Sequence, residues 1–166
     1  MMILISFVLA ISAFYSVVAH PQPGVKASSP CAEHPPAQSY HIHTLFWQNN
    51  QDSTNAAIQL QDNFLKQFNI SRENNTCPFE PGKEIADYPL CVFTTDFKPA
   101  GPFLTAQTAL YIPLSDYERS INWIVPRRGV LDIFVHPNSG CSVKDHVKDG
   151  LWAGNKWELD PTIFFD

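Results

Sequence analysis

Apolar and polar residues alternate through Tyr40-His41-Ile42-His43, and the stretch from Tyr40 to Trp47 reads as a strand. This puts Tyr40, Ile42, Thr44 and Phe46 on one face of a predicted strand and His41, His43, Leu45 and Trp47 on the other. Gln48 to Asp52 reads as a turn. Helical spacing then sets in, with Leu60, Phe64, Leu65 and Phe68 on one face of a helix running to about Asn69. Ser71 to Pro89 carries no such pattern and reads as loop. Two strands follow, Leu90 to Phe97 and Phe103 to Ile112, parted by Lys98-Pro99-Ala100-Gly101-Pro102. Ser115-Asp116-Tyr117-Glu118 has the form of a capping box, and Tyr117, Ile121, Ile124 and Val125 make the buried stripe of a second helix that Pro126 ends. Gly129 resets the chain. A fourth strand alternates Leu131, Ile133 and Val135 with Val130, Asp132 and Phe134, delivers His136 at its end, and breaks in Pro137-Asn138-Ser139-Gly140.

The order βαββαβ predicts an α+β fold, a ferredoxin-like sandwich with an antiparallel sheet in the order 4-1-3-2. In that order the start of strand 1 lies beside the end of strand 4, so His41 and His43 approach His136. Parity agrees: if Leu131, Ile133 and Val135 face the helices, all three histidines share the opposite face. Helices on one side would leave Leu45, Trp47 and Phe134 uncovered on the other. Sheet-against-sheet association, giving a homodimer in the manner of a dimeric α+β barrel, is the expected cover.

The first residues change the picture of where this domain lives. Residues 1–19 are apolar and uncharged and close on Val17-Val18-Ala19, as a secretory signal peptide does. Residues 20–38 hold five prolines and little pattern, an extended Pro-rich arm, and residues 39–166 form the domain. The expected location is extracellular, with no membrane attachment once the signal is removed. Four cysteines in a secreted chain should pair, and there is no Cys-x-x-Cys or Cys-His zinc spacing. Cys31 enters strand 1 and Cys141 leaves strand 4, so these two pair, and Cys77 pairs with Cys91 across a short loop. Asn69-Ile70-Ser71 and Asn74-Asn75-Thr76 make Asn69 and Asn74 glycosylation acceptors. A net charge of −5 without a basic run gives no reason to expect nucleic acid.

Three neutral imidazoles on one face, two of them alternating along a strand, suit a divalent metal such as iron, zinc or nickel. His146, in Asp145-His146, is either a surface residue of a short helix or a fourth ligand or acid/base group beside the metal. Asp132 has the right face for a carboxylate ligand but lies further down the strand. His20 and His34 lie in the arm and are assigned nothing.

Tyr40-His-x-His-x-x-Phe46, Arg128-Gly-Val-Leu131, His136-Pro-Asn-x-Gly140, Asp145-His146 and Leu151-Trp-Ala-Gly154 together resemble the DOPA 4,5-dioxygenase family, from Tyr40 to Phe165. The resemblance implies a ferredoxin-like fold, often dimeric. It implies extradiol cleavage of a catechol such as DOPA by non-haem iron(II), with dioxygen as co-substrate. His41, His43, His136 and His146 match the family's histidines. On the implied mechanism His146 is the candidate base for the catechol proton, with Asp145 orienting it. One segment departs: where the family pattern carries Gly-Pro-His before the third strand, this chain reads Gly101-Pro102-Phe103. The alternative is therefore a secreted glycoprotein of low or no activity that uses the scaffold to bind an aromatic ligand or partner through Trp47, Phe134, Trp152 and Trp157. A metal-dependent hydrolase would need a glutamate beside the histidines, and none is placed there.

Overall fold

Strand β1, Ser39–Phe46, is the centre of the sheet in a computed structural model that describes residues 31–77 and 88–164. It pairs antiparallel with β3, Ala106–Pro113, on one side and with β4, Asp132–Asn138, on the other. The five strands run in the order β2-β3-β1-β4-β5, so the expected order of four is present with a fifth added. That fifth strand, β5 (Leu151–Ala153), lies along β4 with Phe134 opposite Trp152. Three residues are too few to show a period in the sequence. Strand β2 is shorter than expected, only Cys91–Val92. The chain beyond it touches β3 at Phe93, whose N–H donates to the Ala109 carbonyl, and again where Asp96 faces Gln107.

Helix α1, Gln51–Gln67, begins where Asn50 accepts a hydrogen bond from the Ser53 N–H at 3.0 Å. It ends before Asn69, which takes the left-handed conformation at φ 55° that asparagine tolerates. Its face of Ala57, Leu60, Phe64 and Leu65 packs on Ile42, Phe46, Leu110, Ile112, Ile133 and Val135. Each such side chain, fully buried, contributes about 1.5–3 kcal/mol of apolar transfer. A single turn, α2 (Arg72–Asn75), follows, and later α3 (Tyr117–Ile124) brings Ile124 into the same core. The capping box expected at Ser115–Glu118 does not form. Leu114–Asp116 is a 3-10 turn instead, and the Asp116 carboxylate is engaged by Arg119 at 2.5 Å.

The opposite face is covered from within the chain. Leu45, Phe103 and Phe134 are buried there against Trp152, Trp157 and Leu159. Asp132 fastens this cover: its carboxylate accepts from Trp157 Nε1 at 2.7 Å and from the Asn155 N–H at 2.7 Å. Gly154 lets the tail pass so close, because a Cβ there would lie 2.2 Å from Asp132 Oδ1. Burial of Leu45 and Phe134 therefore needs no second copy. Trp47 alone of the three residues expected to drive association stays open, 60% exposed, with its ring 4.4 Å from that of Trp157.

Cys31 is bonded to Cys141 and Cys77 to Cys91, the pairing expected from the topology. Asn69 and Asn74 are exposed. The signal segment and the first part of the arm lie outside the described residues. Among those described, no helix is long and apolar enough to cross a membrane.

Candidate metal centre

The ladder between β1 and β4 sets His41 directly opposite His136, and His43 opposite Phe134. Side chains two apart on β1 point the same way, so His41, His43 and His136 meet on the face away from α1. All three are buried, and one ligand nitrogen from each lies within 4.8 Å of the others. His43 and His136 are nearly parallel, their rings 5.2 Å apart at 14°, while His41 stands edge-on to His136 at 80°. On the β3 side Ala109 is opposite His43, a small residue that leaves its imidazole room.

The hydrogen bonds at the outer ring nitrogens decide what the inner ones present. His136 Nδ1 is 2.8 Å from the Pro137 carbonyl, which can only accept, so Nδ1 carries the proton and Nε2 the lone pair. His43 Nδ1 lies against Gln107 Oε1. The Gln107 amide is oriented by its other end, where Nε2 donates to Asp96 Oδ2 at 3.1 Å. Oε1 therefore accepts, and His43 too has its lone pair on Nε2. The two Nε2 atoms face each other at 3.1 Å. Two lone pairs at that distance repel unless a cation lies between them. Nitrogens bound to one divalent metal through bonds of about 2.0–2.1 Å lie roughly 3 Å apart. The donor set fits a metal ion.

Electrostatics point the same way. Burial, reinforced by His146 and then His43, holds His136 well below the usual imidazole range, with the Pro137 carbonyl opposing. A neutral imidazole is the form that ligates.

His146 lies on a π-helical turn, Lys144–Lys148, with its ring centroid 3.8 Å from that of His136. Its Nδ1 is 2.9 Å from the Ser142 carbonyl, which assigns the proton to Nδ1. It borders a cleft of about 440 Å³ lined by Lys148, Trp152, Lys156, Trp157, Glu158 and Leu159, among others. His146 is thus not the surface residue of a short helix: it is buried, packs on His136 of the triad, and borders the cleft. Asp145 has a different job from the one expected. Its buried carboxylate accepts from Ser139 N at 2.8 Å and Ser139 Oγ at 2.5 Å, tying the turn after β4 to the π-helical turn. Burial raises its pKa and the Ser139 hydrogen bonds oppose the rise. Asp132 serves the tail. Phe103, the departure from the family pattern, is at the centre, its ring 4.4 Å from that of His43.

Gln107 and Asp96 are the residues that sequence reading passed over. A signal existed: β3 neighbours β1, and Gln107, Ala109 and Tyr111 share the histidine face, so an amide there lies one diagonal step from His43.

A model of the Dopa 4,5-dioxygenase family matches residues 40–163. A DOPA 4,5-dioxygenase of Amanita muscaria is 24% identical over 123 residues, 74% of this chain and 48% of that protein. The chain thus spans about half the length of that curated relative. A crystal structure from Nostoc punctiforme, assigned provisionally as a dioxygenase, superposes with a TM-score of 0.58 at 20% identity, over 76% of this chain and 90% of the other.

Proposed function

The chain belongs to the Dopa 4,5-dioxygenase family, and from that premise we propose that it is a secreted, glycosylated non-haem iron protein that opens the ring of a catechol such as DOPA beside the diol, with dioxygen as co-substrate. The observation that carries this reading is the opposed pair of Nε2 lone pairs on His43 and His136, with His41 completing the group. These three would hold the metal, and zinc or nickel would suit the same nitrogens. When bound, iron(II) would supply Lewis acidity toward the catechol oxygens and a path by which the catechol's electrons reach dioxygen.

The rest of the chemistry falls to the protein. With Nδ1–H committed to Ser142, His146 offers Nε2 as the nitrogen that takes a catechol proton. Trp152 and Trp157 give the adjoining cleft flat apolar walls for an aromatic ring, and Lys148, Lys156 and Glu158 line it with charge of both signs. Phe134, Phe103 and Phe93 crowd the triad and keep bulk water away. Asp145 acts at one remove, by holding the turn that carries His136 against the one that carries His146. Secretion is supported by the two disulfides, which persist in oxidising compartments. Association into a homodimer remains part of the proposal only through exposed surface such as Trp47.

Phe103 supports a second reading. A ring that cannot move protons packs on His43 where the family pattern has a histidine, as a binding glycoprotein of reduced activity would show. Oxygen uptake with DOPA and simple catechols, after anaerobic loading with iron(II), separates the two. Uptake by wild type, raised in Phe103→His, supports the enzyme. Metal binding with no uptake by either protein sinks the enzyme and leaves the binding reading.

A further inference from the structure

We propose that Gln107 and Asp96 are positioning residues for the metal centre: together they fix His43 in the tautomer that presents Nε2 to the metal. The inference rests on the metal reading above but is carried by separate observations. Asp96 and Gln107 face each other across two backbone hydrogen bonds, each N–H to the other's carbonyl at 2.9 Å. That double link sets their side chains on the same side and within reach. Gln107 is buried, 1% exposed, so its amide cannot turn to water for partners.

An amide side chain is ambiguous by itself, since either its oxygen or its nitrogen could face an imidazole. If Nε2 of Gln107 faced His43, Nδ1 would have to accept, and the ring proton would move to the nitrogen aimed at His136. A proton there excludes a metal. Asp96 removes the ambiguity. Its carboxylate accepts only, so it draws the NH₂ group at 3.1 Å and leaves Oε1 for His43. The order along the chain of bonds is carboxylate, amide, imidazole, metal. His136 needs no such device because a backbone carbonyl, which cannot flip, fixes its tautomer. His43 lies mid-strand, where the backbone carbonyls serve the β1–β3 and β1–β4 ladders. A side chain from the neighbouring strand must supply the acceptor. Outer partners of ligating histidines commonly change metal affinity about 10–100-fold.

The test reads tautomer and affinity, not turnover. Nitrogen-15 NMR of histidine-labelled, metal-free His136→Ala protein, which lacks the opposing lone pair, should find His43 protonated at Nδ1, and a mixture or the Nε2–H form once Gln107→Leu is added. Cobalt(II) titration should give roughly 10–100-fold weaker binding for Gln107→Leu. Asp96→Leu should lie between it and wild type. The pair Gln107→Glu with Asp96→Asn rebuilds an acceptor toward His43 and a donor behind it, and should restore affinity to within a few-fold of wild type. A purely structural role would give weaker binding without a change of tautomer and without rescue by that pair. Two results would overturn the proposal: an Nε2–H His43 in the His136→Ala protein with Gln107 and Asp96 intact, or Gln107→Leu binding cobalt as wild type does. If wild type binds no metal at all, the metal reading fails, and the NMR measurement on metal-free protein still decides whether Gln107 and Asp96 set the tautomer.

Discussion

The two faces of the sheet are built on different terms. On the α1 side, Ile42, Phe46, Leu110, Ile133 and Val135 bury apolar surface against Leu60, Phe64 and Leu65, and any well-packed side chain of similar volume would do. On the other side, His41, His43, His136, Gln107 and Asp132 are buried polar groups, and each needs a particular atom at a particular distance. Interleaved positions of the same strands supply both faces, so β1 and β4 carry the apolar core on one parity and the candidate metal site on the other. If that site is the functional one, it and the fold should be separable by mutation.

The largest separation is expected at the triad. His41→Ala, His43→Ala and His136→Ala should each lose the metal in elemental analysis of the purified protein, while far-ultraviolet circular dichroism stays that of wild type. Loss of the fold in all three would show that the histidine face is structural after all. Next comes His146→Ala, which should retain metal and lose about 10²–10⁴-fold in catechol turnover, the contribution of a positioned acid or base. Loss of metal there would make His146 a ligand. On the helix face, Phe64→Ala should cost about 3–5 kcal/mol in urea unfolding by opening a cavity in the core. Its metal affinity, counted per folded molecule, should not change, and a weakened site would mean the faces are coupled through the strands. The smallest effect belongs to the fastening of the tail. Asp132→Ala leaves the Trp157 N–H and the Asn155 N–H without their acceptor and should cost about 1–3 kcal/mol. A red shift in tryptophan fluorescence before global unfolding should accompany it, and its absence would show that apolar contact alone holds the tail.

What could be read from the sequence follows the same division. The strand stretches Tyr40–Trp47 and Val130–His136, with the helical stripe through Phe64 and the order of elements, give strand order and parity, and with them the meeting of His41, His43 and His136. Those are properties of period and topology, which a single chain displays openly. The pairing of Cys31 with Cys141 came by the same route. The fastenings are less legible, although the register of β3 against β1 puts Gln107 on the histidine face. Gln107 meets His43 across 64 residues, and Asp132 meets Trp157 across 25, contacts that no local spacing encodes. Adjacency in sequence suggests Asp145 as a partner for His146, but its carboxylate is taken up by Ser139, since consecutive residues of a helical turn project in different directions. The uncovered sheet face was a fair inference from a four-stranded fold. It failed on β5 and the residues after it, which are too short and irregular to announce themselves as a cover.

The bond between Cys31 and Cys141 spans 110 residues and encloses β1, β3 and β4 in one covalent ring. A protease that cuts the backbone anywhere inside that ring opens a loop but releases nothing. The nicked molecule keeps its first strand tethered beside the turn after β4, at the high effective concentration of an intramolecular partner, and the strand can re-pair after each local opening. Such a molecule would migrate as one species on a non-reducing gel and as two fragments after reduction. In an extracellular setting rich in proteases, the histidine site would then outlast the continuity of the chain that built it.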